Sequence, residues 1–177
     1  MENNNEIQKF QCIRSSLYPY CKRVALVGDL RRQCFDDERI EILVISREVD
    51  VSFLFGELVG TYPMIDDWIM ISEAWLLINK PDHKRFLWEG MRVDVYLTNE
   101  YQWGLQMALH TGCDQYAEWL LTNRKHGGAL PDGMCVKDGW LLDQGKKIPT
   151  LTEQHFYDAI ETEWIRPQQR SKGIWER

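Results

Sequence analysis

The sequence predicts an α+β protein: one lobe with a mixed sheet, followed by a smaller α+β lobe. Three observations carry that expectation. Short apolar runs closed by turn residues, Val24–Val27 before Gly28 and Ile40–Ser46, have the length and branching of strands. Segments with apolar residues three and four apart lie among them and have the period of helices. Beyond Arg124 the texture changes to Gly127-Gly128, Pro131 and Asp132-Gly133, loop residues that set off a second group of elements. The expected division is a lobe over residues 1–110 and another over 111–177.

Taken in order, Ile7, Phe10, Ile13 and Leu17 place an amphipathic helix before Pro19. Val24–Val27 and Ile40–Ser46 read as buried strands. Val49–Thr61, punctuated by aromatics and Gly, reads as a loop with a short element. Trp68–Ile78 fits either a helix or a strand. Arg85–Trp88 and Met91–Leu97 flank Glu89-Gly90, a hairpin signal. Asn99 suits a cap for a helix holding Trp103, Met107 and Leu109. A second helix follows the break at Thr111-Gly112 and runs through Tyr116, Trp119 and Leu120. Met134–Val136 and Trp140–Leu142, joined at Asp138-Gly139, read as a hairpin. Thr150 with Glu153 has capping-box spacing and opens a last short helix through Phe156 and Ile160.

Composition excludes several classes. A net charge of −6 leaves no long basic stretch for gripping duplex phosphates; the closest approach is the tail, with Arg166, Arg170, Lys172 and Arg177 against Glu163 and Glu176. Five scattered cysteines and four scattered histidines lack zinc-ligand spacing and are expected as thiols and imidazoles in a reducing compartment. No apolar run approaches a membrane span, so no membrane partner is expected. The first residues lack the regions of a secretory signal, which makes cytoplasmic the expected location. Eight tryptophans are expected mostly in the core.

The chemistry-bearing residues lie near three short motifs. Gly28-Asp29-Leu30-Arg31-Arg32 has a residue without Cβ where backbone N–H groups must approach a phosphate, and two guanidiniums suited to hold one. Arg39 and Glu41 share one face of a strand, and Asp94 of Arg92-Val93-Asp94-Val95 joins them if the two strands are neighbours. Two strands that present three acids build a two-metal site for phosphoryl transfer. Here one of the three positions holds Arg39. Its guanidinium is expected where a divalent ion would sit, bridging Glu41 and Asp94. Asp37 shares that face one pleat earlier, about 6.6 Å along the strand.

These motifs resemble the DNA polymerase X family, whose members carry Gly-Ser-x-Arg-Arg, then Gly-Asp-x-Asp or Asp-x-Glu, then Arg-x-Asp. Further on, Thr111-Gly112 is similar to the family's palm-to-thumb junction. The stretch from Asn123 to Pro131, the Asp138-Gly139 hairpin and Ile165-Arg166-Pro167 are similar to its thumb. The resemblance implies a nucleotidyltransferase palm and a thumb-like lobe. It implies Glu41 and Asp94 as catalytic residues and ligands of Mg²⁺ or Mn²⁺ if the protein is active, with no cofactor otherwise. It also implies Gly28, Arg31, Arg32 and Gly112 as contacts to nucleotide.

The departures from the pattern shape the expected function. Asp29 replaces the family's serine and repels a triphosphate, Arg39 replaces the first carboxylate, Leu109-His110 replaces Tyr-Phe, and Ala117 stands where many members have Asn. No counterpart of the family's N-terminal helix-hairpin-helix region is expected among these residues. The expected protein has lost most or all catalysis and acts by binding. Its partner is a nucleoside triphosphate or nucleic acid, held weakly, or a protein. The alternatives are an active Mg²⁺- or Mn²⁺-dependent transferase with an altered site, and an interaction module of phage type that uses the fold as scaffold.

Overall fold

The structure, a computed structural model, describes residues 3–34, 39–52 and 58–171, with the side chains of residues 3–6 and Leu58 left aside. Asp37, Glu38 and the tail residues Lys172, Glu176 and Arg177 therefore lie outside the described residues. The chain forms two compact units. One comprises Met1–Leu26 and Glu38–Leu97, the other Val27–Asp37 and Thr98–Arg177. This differs from a single cut near residue 110, because the segment from Val27 belongs with the later residues.

In the first unit, α1 (Asn3–Leu17) buries Phe10, Ile13 and Leu17 and leaves Ile7 exposed. β1 (Cys21–Val27) and β2 (Arg39–Ser46) follow the two apolar runs. β1 is only half-buried, as its place at the sheet edge dictates, whereas β2 is buried at every position after Arg39. Where a loop is expected over Val49–Thr61, β3 (Glu48–Ser52) pairs antiparallel with β4 (Leu58–Pro63). The alternation Glu48, Val49, Asp50, Val51 is the period-two pattern of a solvent-facing strand.

The ambiguous segment contains one element of each kind. It splits into α3 (Ile65–Ile71) and β5 (Trp75–Asn79), with Glu73 at a φ of 54° between them. β6 (His83–Trp88) and β7 (Met91–Leu97) form the expected hairpin, with Glu89 and Gly90 both at positive φ. The five strands are ordered β1-β2-β7-β6-β5. β2 runs parallel to β7, while β7, β6 and β5 are antiparallel, so the sheet is mixed.

Packing follows from the alternation along these strands. Ile40, Ile42, Phe86, Val93 and Val95 are buried, and Trp68 of α3 packs on Phe86 and Trp88 with ring centroids 5.4 and 6.0 Å away. Lys84 points into this apolar environment and is buried. Its ammonium is held by Asp66 and Asn79, each at 2.6 Å, which offsets the cost of desolvation. Cys21 is buried as well, and burial pushes its thiol up to about 12 against a smaller opposing influence of Arg47. A thiol reagent at about pH 8 is expected to modify the exposed Cys12 and Cys135 in the native protein and to reach Cys21 only in denaturant, as peptide mapping would register.

The second unit begins with α2 (Gly28–Arg32), whose first residue has a φ of 66°, a conformation that suits glycine. α4 (Trp103–Thr111) and α5 (Asp114–Leu121) appear as expected, and the Asn99 side chain accepts hydrogen bonds from the Tyr101 and Gln102 backbone N–H groups just before α4. β8 (Met134–Lys137) and β9 (Trp140–Asp143) form the hairpin around Asp138-Gly139. A third strand, β10 (Lys146–Ile148), adds to β9 and is too short to carry a sequence period.

α6 (Glu153–Ala159) closes the unit. Thr152, not Thr150, caps it by accepting from His155 N–H at 3.1 Å. Thr150 instead accepts from Leu105 N–H and donates to the Tyr101 carbonyl, so the expected capping box does not form. Leu105, Tyr116, Leu120, Leu141, Phe156, Tyr157 and Ile160 make the core. Among the described residues, no helix is long and apolar enough to cross a membrane.

Candidate functional site

The pairing of β2 with β7 decides what the central charges meet. Their parallel register sets Arg39 beside Arg92 and Glu41 beside Asp94. Directly paired residues point to the same face, so Glu41 and Asp94 are neighbours on one side of the sheet, as the sequence led one to expect. β6 extends that row from the other side, with Arg85 paired to Asp94 and His83 paired to Tyr96.

Glu41 is buried, with the Arg39 guanidinium 3.5 Å from one carboxylate oxygen and the Tyr96 hydroxyl donating to the other at 3.0 Å. Burial, then the charges of Glu41 and Asp94, hold the Tyr96 hydroxyl well above the usual phenol range, so it stays a donor. Its ring stacks on His83 at 5.0 Å.

Asp94 is completely buried. Arg39 was expected to bridge it to Glu41; the partners of Asp94 come instead from β6, with His83 Nε2 at 2.6 Å and Arg85 Nε at 2.7 Å, both on Oδ1. Its Oδ2 is inaccessible to solvent and has no hydrogen-bond partner among the described residues. Glu41 thus pairs with Arg39 along β2, and Asp94 with Arg85 and His83 across the β6–β7 hairpin. The geometric reason is the antiparallel register, which puts Arg85 directly opposite Asp94, while Arg39 lies one pleat from Glu41 on the same strand.

The described residues of this face do not by themselves converge on a divalent metal. It needs several oxygen ligands free to converge on it, and here guanidiniums and an imidazole take that place beside the carboxylates. Among the described residues, no group of three or more His, Cys, Asp or Glu is arranged to hold a metal.

The second unit gathers the other sequence candidates around Glu153. Arg31 meets that carboxylate with both terminal nitrogens, at 3.2 and 2.9 Å, and donates to the Thr111 hydroxyl. Arg32 pairs with Asp29 and donates to the Thr111 carbonyl at 2.7 Å. The two guanidiniums expected to hold phosphate thus join α2 to the end of α4 and the start of α6. Asp29, expected to repel a triphosphate, holds Arg32. Gly112 also has a packing reason, because a Cβ there would lie 2.2 Å from Tyr116 Cδ1. Gly112→Ala is expected to cost about 2 kcal/mol, the overpacking range, in urea unfolding.

Arg170 belongs in the sequence to the tail that comes closest to a basic stretch. It is completely buried, 2.5 Å from Glu153 Oε1, with Nε and an Nη donating to the Ile165 carbonyl. Tyr116, Tyr157 and Trp164 surround its guanidinium with ring centroids 5.3–5.6 Å away. Burial raises the Glu153 carboxyl, but the hydrogen bonds and charges of Arg31 and Arg170 outweigh it and leave the group below its ordinary value. The sequence signal for this triad was faint: three residues more than a hundred positions apart at the extremes, with no shared motif.

Comparison with known proteins adds no assignment. A scan against protein-family models finds no match, and a search of curated proteins finds none.

Proposed function

We propose that this chain is a nucleotidyltransferase-like protein of polymerase X type that binds a phosphorylated ligand, a nucleoside triphosphate or a nucleic-acid end, without transferring a nucleotidyl group. The observation that carries the reading is the charge arrangement on the β2–β7–β6 face. Glu41 and Asp94 stand side by side, as in a phosphoryl-transfer site, but Arg39, His83 and Arg85 balance them in place of metal. Arg92 stands in the same row, paired with Arg39 on one side and Leu87 on the other. Guanidiniums set beside the carboxylates support reading the ligand as a phosphate-bearing anion.

The expected result is stabilisation by a deoxynucleoside triphosphate or a 5′-phosphorylated oligonucleotide in the presence of EDTA, with no product in primer extension with Mg²⁺ or Mn²⁺. Absence of any thermal shift with either ligand would leave the fold as a scaffold for protein contacts and defeat this reading.

One observation favours a second reading, an active transferase with an altered site: the buried Asp94 Oδ2 has an acceptor without a donor among the described residues. Extension product that disappears in Asp94→Ala would establish that reading over the first.

A further inference from the structure

The five-stranded sheet ends at β5, which pairs with β6 on one side and with no strand among the described residues on the other. Exposed apolar side chains stand near it on both faces of the sheet. Trp75 is 73% exposed and Leu77 49%, and Met70 and Ile71 at the end of α3 are exposed by 78% and 70%. Leu87, the β6 partner of Trp75, is exposed too. Single exposed apolar residues are ordinary, whereas a run of them along a sheet edge marks a contact surface.

Edge strands are usually blunted by charge or proline. None of the residues Trp75–Asn79 is charged or proline, and the single protective device is the irregular register between Leu76 and Ile78. Charges stand instead at the two ends, Glu73 before the strand and Lys80 after it, both exposed. A second β5 laid antiparallel brings the Glu73 end of each copy beside the Lys80 end of the other, at both ends of the contact. A parallel copy would set like charge beside like.

We propose that a second copy of this chain docks here, β5 against β5 across a two-fold axis, continuing the five-stranded sheet into one of ten strands. The contact is self-complementary in backbone hydrogen bonding, in apolar surface and in end charges. It uses the same edge of both copies, so association closes at the dimer. Trp75 and Leu87 share the sheet face of Arg92, so the contact borders the charged face, while its backbone hydrogen bonds are made along the β5 edge.

The test is sedimentation velocity on the full chain over a micromolar concentration series. The expected result is a monomer–dimer equilibrium whose dissociation constant rises roughly tenfold or more in Leu77→Lys, which places a charge in the apolar contact. Circular dichroism checks that this variant remains folded. Because a core defect could mimic the effect, the end charges supply a second arm: Glu73→Lys alone weakens the dimer, and Glu73→Lys with Lys80→Glu restores it. A chain that stays monomeric throughout, a ladder of species beyond the dimer, or a dimer indifferent to the charge reversals overturns the proposal.

Discussion

Glu153→Ala is expected to cost about 3–5 kcal/mol in urea unfolding, the range for breaking a buried ion pair by deleting one partner. The change removes the carboxylate shared by Arg31 and Arg170, and Arg170 is sealed from solvent. Its guanidinium then keeps the Ile165 carbonyl and three aromatic rings but has lost its counter-charge. Arg31 is partly exposed and can turn to water, so most of the loss comes from Arg170.

The same triad sets an acid dependence. Because the folded carboxyl of Glu153 lies below its ordinary value of 4.5, its contribution is fully present above that pH and is lost as pH falls through the depressed value. Wild-type stability is therefore expected to decline more steeply below about pH 4.5 than that of Glu153→Gln. A Glu153→Gln profile parallel to wild type over that window would contradict this assignment.

Asp94→Ala is expected to have the next largest effect, about 2–3 kcal/mol. The carboxylate is completely buried, but its partners Arg85 and His83 retain some solvent access, which places the loss below that of Glu153. Asp94→Asn should recover part of it, since an amide oxygen still accepts from Arg85. Equal losses in the two variants, measured by urea titration, would show that the retained acceptor contributes little and that the loss comes from the charge of Asp94.

Much of this arrangement was legible in the sequence, because strand alternation and turn chemistry act locally. The Glu89-Gly90 turn fixes the β6–β7 register, and the apolar run after Arg39 fixes a central strand. Together they bring Glu41 and Asp94 to one face. The partner of Asp94 followed from that same turn and was missed: a two-residue loop at Glu89-Gly90 sets Arg85 opposite Asp94, with His83 one pair further along on the same face. Arg31 and Arg32 looked like ligand-binding cations because their acids, Glu153 and Asp29, are identified only by tertiary packing and by one helical turn. The exposure of Trp75 was not legible among tryptophans expected mostly in the core, because composition cannot tell a central strand from an edge. Arg170 misled in the opposite sense, since its charge says surface and its aromatic surroundings are assembled from residues far along the chain.

The central claim, that guanidiniums and an imidazole balance two acids where a phosphoryl-transfer site would place metal, meets its most direct test in Mn²⁺ titration followed by electron paramagnetic resonance. The free-ion signal should persist at millimolar metal in the wild-type protein and be quenched by binding in Asp29→Ser/Arg39→Asp. Quenching in the wild type that is abolished by Asp94→Asn would contradict the account.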